Sequence, residues 1–368
     1  MLGTVLFYTF ICIFVYVVSD WLYKRSGRHS CRADGSVVLK KMPLLMALAF
    51  SLLCMSYNIY VTETSTMMGG DRTNYQYTYE YERINESIGL TLLMNIGRMY
   101  EIPFFSLLYF STFFSMLMVF LAYRHSREAT PYALLLFFLS FYLNESLTAM
   151  KQCYAMGCST LLFSLLLQKH TILKDVLSIM LIIVACAFHS TGFILIPLYV
   201  VLRINSKYIS IGKVLPILIL VVMLFMPMMR FIGSLTGDVF SMLAGKADQY
   251  FGSGEAAESG LLVTLKGLPF YYISAIAIKY RKRLANKIPD FNKYLLLSLM
   301  GSLFYLLSFY DVWMSRFEYS FSFIILVFWA KVLDFVQDKI THKIVVMSLL
   351  VFFTYRHLIL IYINFGGF

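Results

Sequence analysis

The chain is short of charge. Asp, Glu, Lys and Arg make up only 14% of its 368 residues against 60% hydrophobic, and a soluble surface cannot be built from that proportion. Paired cysteines are also missing. Cys12, Cys31, Cys54, Cys153, Cys158 and Cys186 show neither CxxC nor metal-finger spacing, and all but Cys31 lie in or beside apolar runs, so they read as small apolar residues. No His/Asp cluster has metal-ligand spacing, which argues for a reaction without metal or cofactor, and no repeat relates the two halves. No basic region precedes Leu2 to Tyr23 and no small-residue cleavage site follows it. This first apolar run therefore reads as a retained span.

What is present is apolar sequence in runs near the ~20 residues that cross a bilayer, with a mean hydropathy of +0.73. Spans are expected near 2–23, 42–61, 103–122, 132–149, 152–168, 175–188, 190–202, 213–233, 261–280, 294–313, 317–336 and 343–363. The expectation is an all-α, polytopic integral membrane protein of about 10–12 transmembrane helices, with residues 1–368 as a single transmembrane domain. A net charge of +11 would suggest nucleic acid in a soluble protein, but here the cations sit in short connections between spans. Lys24, Arg25, Arg28, Arg32, Lys40 and Lys41 fill one connection, and Lys279, Arg281, Lys282, Arg283, Lys287 and Lys293 another. Assigned to the cytoplasm by the positive-inside rule, they put both termini outside.

Two outer loops are long, about 62–102 and 234–260. The first contains GGDRTNYQYTYEYE, whose Tyr75, Tyr77, Tyr79 and Tyr81 share one face if extended and split into two pairs four apart if helical. Its later part, SIGLTLLMNIGRMY, reads as an amphipathic helix in the outer interface. The second, with FGSGEAAESG, reads as a mobile loop or lid.

Ionisable residues near span ends are the candidates for chemistry. His189, in CAFHSTGFILIPLY, stands between two apolar runs, where it either serves the site or caps the short turn through Ser190 and Thr191. Lys151 and Gln152 open a span, so the ammonium opposes the helix dipole unless an anion shares the site; the alternative is a lysine snorkelling to lipid headgroups. In YDVWMSRFEYS, Arg316 either pairs with Asp311 or joins the site. Arg72, Arg98, Arg230 and Lys266 also fall at outer span ends, and collected on one rim these cations would form an anion-binding collar.

In their order and spacing, GGDRTNY, MKQCYAMG, AFHSTGFILIPLY and SRFEYSF resemble the signatures of the EpsG/Wzy family of bacterial polysaccharide polymerases, across roughly residues 50–330. Where the family pattern more often has Arg–Gln, this chain has Lys151–Gln152, which keeps the cation and gives up a bidentate fork. The resemblance implies a multi-pass protein of the bacterial cytoplasmic membrane, similar to GT-C-type membrane glycosyltransferases, with its reaction centre facing outward. It implies transfer of a growing glycan from undecaprenyl diphosphate onto a lipid-linked repeat unit, with inversion at the anomeric carbon. The product would be O-antigen, capsule or another exopolysaccharide. Partners implied are undecaprenyl-diphosphate-linked oligosaccharides and the bilayer, alongside a chain-length regulator and a flippase.

On that reading Arg316 leads the groups that stabilise the leaving diphosphate, followed by Arg72, Arg98, Arg230 and Lys151. Asp71 and His189 are the two candidates for the base, with His189 ahead because it sits at a span junction. Tyr75 and its neighbours either stack on sugars or form an interfacial aromatic belt. Two other functions compete. A membrane O-acyltransferase that modifies a glycan would draw its acyl group from the cytoplasmic side, whereas the candidates here gather outside. A lipid-linked oligosaccharide flippase or transporter would tend to carry internal symmetry and midplane charges.

Overall fold

A computed structural model describes residues 2–27, 43–64, 70–82, 87–124, 130–140, 142–143, 149–204, 212–213, 216–217, 220, 223–224, 267–308 and 314–333. The described residues contain helices and no strand. Three helices among them are long and apolar enough to cross a membrane, over Leu6–Lys24, Leu44–Glu63 and Phe104–Arg124. Together with the composition they make this an all-α membrane protein. The expected span 343–363, most of 213–233 and the expected loop 234–260 lie outside the described residues.

The chain divides into two compact units, residues 1–199 with 326–368, and residues 200–325. In the first, α1 (Leu2–Gly27), α2 (Leu44–Thr64) and α5 (Phe104–Arg124) are apolar on nearly every side, the pattern of helices with no aqueous face. Helix α1 leaves Leu6, Phe10, Ile13 and Val17 exposed in a row. In water such a stripe would drive aggregation; in a bilayer it faces lipid. The other side of α1 packs on α6 (Thr130–Leu139), where Tyr8 donates to the Phe138 carbonyl at 2.7 Å, and on α2 through the edge-on pairs Tyr8–Tyr57 and Phe7–Tyr57.

Helix α5 is the centre of this unit, packed between α2 and α7 (Met150–Leu166). The close approach to α7 depends on Gly157, where a Cβ would lie 3.0 Å from the Ser115 carbonyl and 2.9 Å from Met118 Cε. Helix α8 (Ile172–Phe188) lies along α7. It begins at an N-cap, Thr171, whose side chain accepts from the Lys174 amide, and stops where His189 turns extended at φ −150°, ψ 139°. A 3-10 turn, Ser190–Ile194, then leads into α9 (Leu195–Arg203).

The expected loop 62–102 holds two helices. The tyrosine-rich stretch is α3 (Gly70–Glu80), and the expected amphipathic helix is α4 (Ile88–Met99). Both ends of α4 are specified locally. Ser87 caps its N-terminus by accepting from the Leu90 amide, and Glu101, at φ 53°, closes its C-terminus as Ile102 N–H bonds to the Gly97 carbonyl and Glu101 N–H to that of Arg98. Glycine usually holds that left-handed position. Leu90 and Met94 of α4 are buried, while Ile88, Leu92 and Ile96 are exposed.

The second unit includes α10 (Leu268–Lys279), α11 (Arg281–Ala285), α12 (Phe291–Leu307) and the start of α13 (Ser315–Leu333). Helices α10 and α12 are joined by three serine hydroxyls, Ser274 meeting Ser298 at 2.8 Å and Ser302 at 3.1 Å. Small hydroxyl side chains let the backbones approach while satisfying their own polar groups. Phe304 stacks on Phe317 and Phe321 of α13.

Candidate functional site

Helix α3 carries the first cluster. Its 3.6-residue period splits the four tyrosines as the helical alternative predicts: the Tyr77 and Tyr81 rings meet at a tilt on the exposed side, while Tyr75 and Tyr79 turn inward. Arg72, three residues before Tyr75, shares that inner face, and both are buried, at 3% and 6% exposure. For tyrosine this is ordinary. For a guanidinium it is costly, because a buried charge needs a counter-charge or a full set of hydrogen bonds.

Arg72 has neither. Its Nη2 donates to Thr62 Oγ1 at the end of α2, and its Cζ stands 5.4 Å from the centre of the Phe105 ring on α5. Its Nε is buried without a hydrogen-bond partner. Burial pulls its pKa below the ordinary arginine value, and the nearby Tyr109 phenol opposes that shift. Among the described residues no carboxylate forms an ion pair with it.

Arg98 has the opposite setting. Its Nε donates to the Tyr79 carbonyl at 3.0 Å, Nη2 to that of Thr78 at 2.8 Å and Nη1 to Asn95 Oδ1 at 2.8 Å. It thus caps the C-terminal end of α3, where carbonyls and the helix dipole both favour a cation. Tyr79 reinforces the joint by donating to the Ile102 carbonyl.

Lys151 meets the same inner face of α3. Its Nζ lies 5.5 Å from the Tyr75 ring centre, so the α7 N-terminus and α3 are joined by a cation–π contact, and the adjacent Gln152 is buried at 7% exposure. Helix α7 has no side-chain N-cap and no acidic residue in its first turn. One turn further along α7, Tyr154 donates to Ser111 of α5 at 3.0 Å and stacks on Phe188 at 4.1 Å between ring centres. Phe188 is the last residue of α8, directly before His189. Ser87, the cap of α4, donates to the Ala187 and Phe188 carbonyls, which brings α4 to the same point.

At His189 the expected cap forms. Thr191 N–H donates to Nδ1 at 3.2 Å, and the Thr191 hydroxyl lies 2.9 Å from the same nitrogen. A nitrogen that accepts an amide hydrogen carries none, so the neutral ring holds its proton on Nε2. Base chemistry at Nε2 therefore requires the other tautomer and loss of this cap. The turn itself requires Gly192, because a Cβ there would lie 2.5 Å from Ala185 C and from Cys186 N, both backbone atoms of α8.

Arg72 and Tyr75 thus share the inner face of α3, Lys151 joins that face at Tyr75, and Tyr154 joins α7 to Phe188 at the end of α8, next to His189 in the chain. Arg98 lies at the other end of α3, committed to carbonyls. Asp71 belongs to α3, but its side chain, like all of Arg230 and Lys266, lies outside the described residues. Arg316, half-buried, and Glu318, at 1% exposure, stand in the first turn of α13 in the second unit. Sequence reasoning passed over Thr62, Asn58 and Phe105, which hold Arg72. The signal was a pair of hydrogen-bonding residues, Asn58 and Thr62, four apart toward the end of a largely apolar run.

No curated protein and no solved structure gives a significant match to the chain. The family model of EpsG matches residues 45–367, nearly the whole chain and every element of the cluster around α3. The chain belongs to the EpsG family.

Proposed function

We propose that this protein is a polysaccharide polymerase of the Wzy type, acting at the outer face of the bacterial cytoplasmic membrane. Its donor is a glycan on undecaprenyl diphosphate and its acceptor a lipid-linked repeat unit. Family membership points to the polymerase class. The observation that carries the reading to a diphosphate donor is Arg72, a buried guanidinium with a partnerless Nε and no carboxylate paired with it among the described residues. An anion supplied by the substrate would complete it.

In the reaction the acceptor hydroxyl attacks the anomeric carbon of the donor sugar, and the bond from that carbon to the diphosphate breaks. The electron pair leaves with the lipid diphosphate, and the hydroxyl proton passes to a base. Arg72 and Lys151 lower the barrier by meeting charge that develops on the leaving group in a site screened from water. Arg316 is a further candidate for an anion contact on its sequence position alone. Between the two base candidates, the Nδ1 cap at His189 shifts the assignment to Asp71, beside Arg72 on α3. His189 then serves as a hydrogen-bond donor through Nε2. Exposed Tyr77 and Tyr81 offer ring faces to a sugar.

Deleting the gene in its host tests the class of function. A polymerase deletion leaves lipid-linked single repeat units at the outer face and no polymer. Repeat units stranded on the cytoplasmic face would instead indicate a flippase, and polymer of normal length lacking acyl groups would indicate an acyltransferase.

A further inference from the structure

The unexplained polar residues of α2 lie directly beneath Arg72. Asn58 is fully buried within the candidate span Leu44–Glu63, an expensive place for an amide unless both of its ends are used. Both are. Its Nδ2 donates to Thr112 Oγ1 of α5 at 2.7 Å, and its Oδ1 lies 3.3 Å from the Thr62 hydroxyl. That hydroxyl also donates to the Asn58 backbone carbonyl at 2.8 Å. A threonine hydroxyl has one hydrogen, and here it points down α2 toward Asn58. The Thr62 oxygen can then only accept from above, and what it accepts is Arg72 Nη2.

Donation therefore runs one way, from the guanidinium to Thr62, from Thr62 to Asn58 and from Asn58 Nδ2 to Thr112. This relay holds Arg72 at one nitrogen while Phe105 supports its face, and it leaves Nε as the buried donor without a partner. Arginine has many rotamers, and a long side chain that must be ordered on binding weakens the complex by that entropy. We propose that Thr62 and Asn58 are positioning residues for Arg72. They orient the guanidinium in advance so that Nε meets an oxygen of a phosphate or diphosphate group. This rests on the reading of Arg72 as the anion contact.

The test is direct binding by the full-length protein in phosphatidylcholine nanodiscs, titrated with geranylgeranyl diphosphate, with inorganic diphosphate and with uncharged geranylgeraniol. Thr62→Val keeps the shape and removes the acceptor, and is expected to weaken binding of geranylgeranyl diphosphate about tenfold. Thr62→Ser restores affinity to within about twofold. Thr62→Val added to Arg72→Ala produces no further loss, because the relay acts only through the guanidinium. If Thr62→Val lowers the yield of folded protein, Thr112→Val, one step further from the ligand, is expected to weaken binding about threefold.

Wild-type affinity in both valine variants, with loss in Arg72→Ala, would overturn the positioning role and leave the anion site standing. Additive losses in the double variant would overturn it as well. Equal binding by wild type and Arg72→Ala, or no binding of either diphosphate, would remove Arg72 from the anion site and the relay with it. Binding of inorganic diphosphate as tight as the prenyl form identifies the headgroup alone as the ligand recognised.

Discussion

The two ends of α3 use the same side chain in opposite ways. At its C-terminal end, Arg98 places three guanidinium donors on two carbonyls and an amide oxygen, in the half of the helix dipole that favours a cation. Near its N-terminal end, Arg72 sits in the unfavourable half, at 3% exposure, and among the described residues it meets the Thr62 hydroxyl, the Phe105 ring and the Tyr109 phenol, with no carboxylate paired to it. The first arginine is explained by the fold alone. The second is buried with its Nε unpartnered, a costly setting for a guanidinium, which on the proposed function is explained by what it binds.

That contrast predicts different phenotypes for similar substitutions. The largest effect is expected at Arg72: replacement by Ala should lower the rate of polymer formation about 100-fold or more, the range for removing one donor to a developing anion. The protein should remain in the membrane at wild-type level, as an immunoblot alongside the polymer assay would show. Arg98→Ala should reverse the pattern, costing about 2 kcal/mol of stability through the lost hydrogen bonds while activity per folded molecule stays near wild type. Thermal unfolding in detergent and normalised turnover separate the two. A loss of turnover at Arg98 without loss of stability would break the comparison.

Lys151→Ala should raise the KM for the lipid-linked donor about tenfold, because one cation and its contact to Tyr75 are lost. Lys151→Arg should retain activity, since it restores charge and adds a fork suited to phosphate. The smallest effect belongs to the scaffold. Glu101 holds the left-handed closing position of α4 at φ 53°, so Glu101→Gly should stabilise the protein by about 1 kcal/mol and leave polymer length unchanged.

Much of this architecture was legible in residue order. The pattern of SIGLTLLMNIGRMY specified α4 because its apolar spacing and the serine cap are local features. The end of α8 was visible in FHSTG for the same reason. The tyrosine repeat was compatible with two conformations, and only the packing of α3 on α5 selected the helix. Which arginine is buried was not legible. Arg72 and Arg98 look alike in sequence, and their difference comes from Thr62 and Phe105 in one case and from the backbone carbonyls of Thr78 and Tyr79 in the other. Carbonyls have no signature in a sequence. The cap at His189 was legible in its neighbours Ser190 and Thr191, and the Thr191 amide forms it.

On the proposed function Arg72 is destabilising until an anion reaches it. The most direct measurement is the unfolding temperature of wild type and Arg72→Met, each with and without geranylgeranyl diphosphate. The methionine variant is expected to unfold at a higher temperature than unliganded wild type, because it buries an apolar chain in place of a charge with no paired carboxylate among the described residues, and wild type is expected to gain more stability from the diphosphate than the variant does. A methionine variant that is less stable than wild type, or that gains as much from the ligand, would contradict that reading.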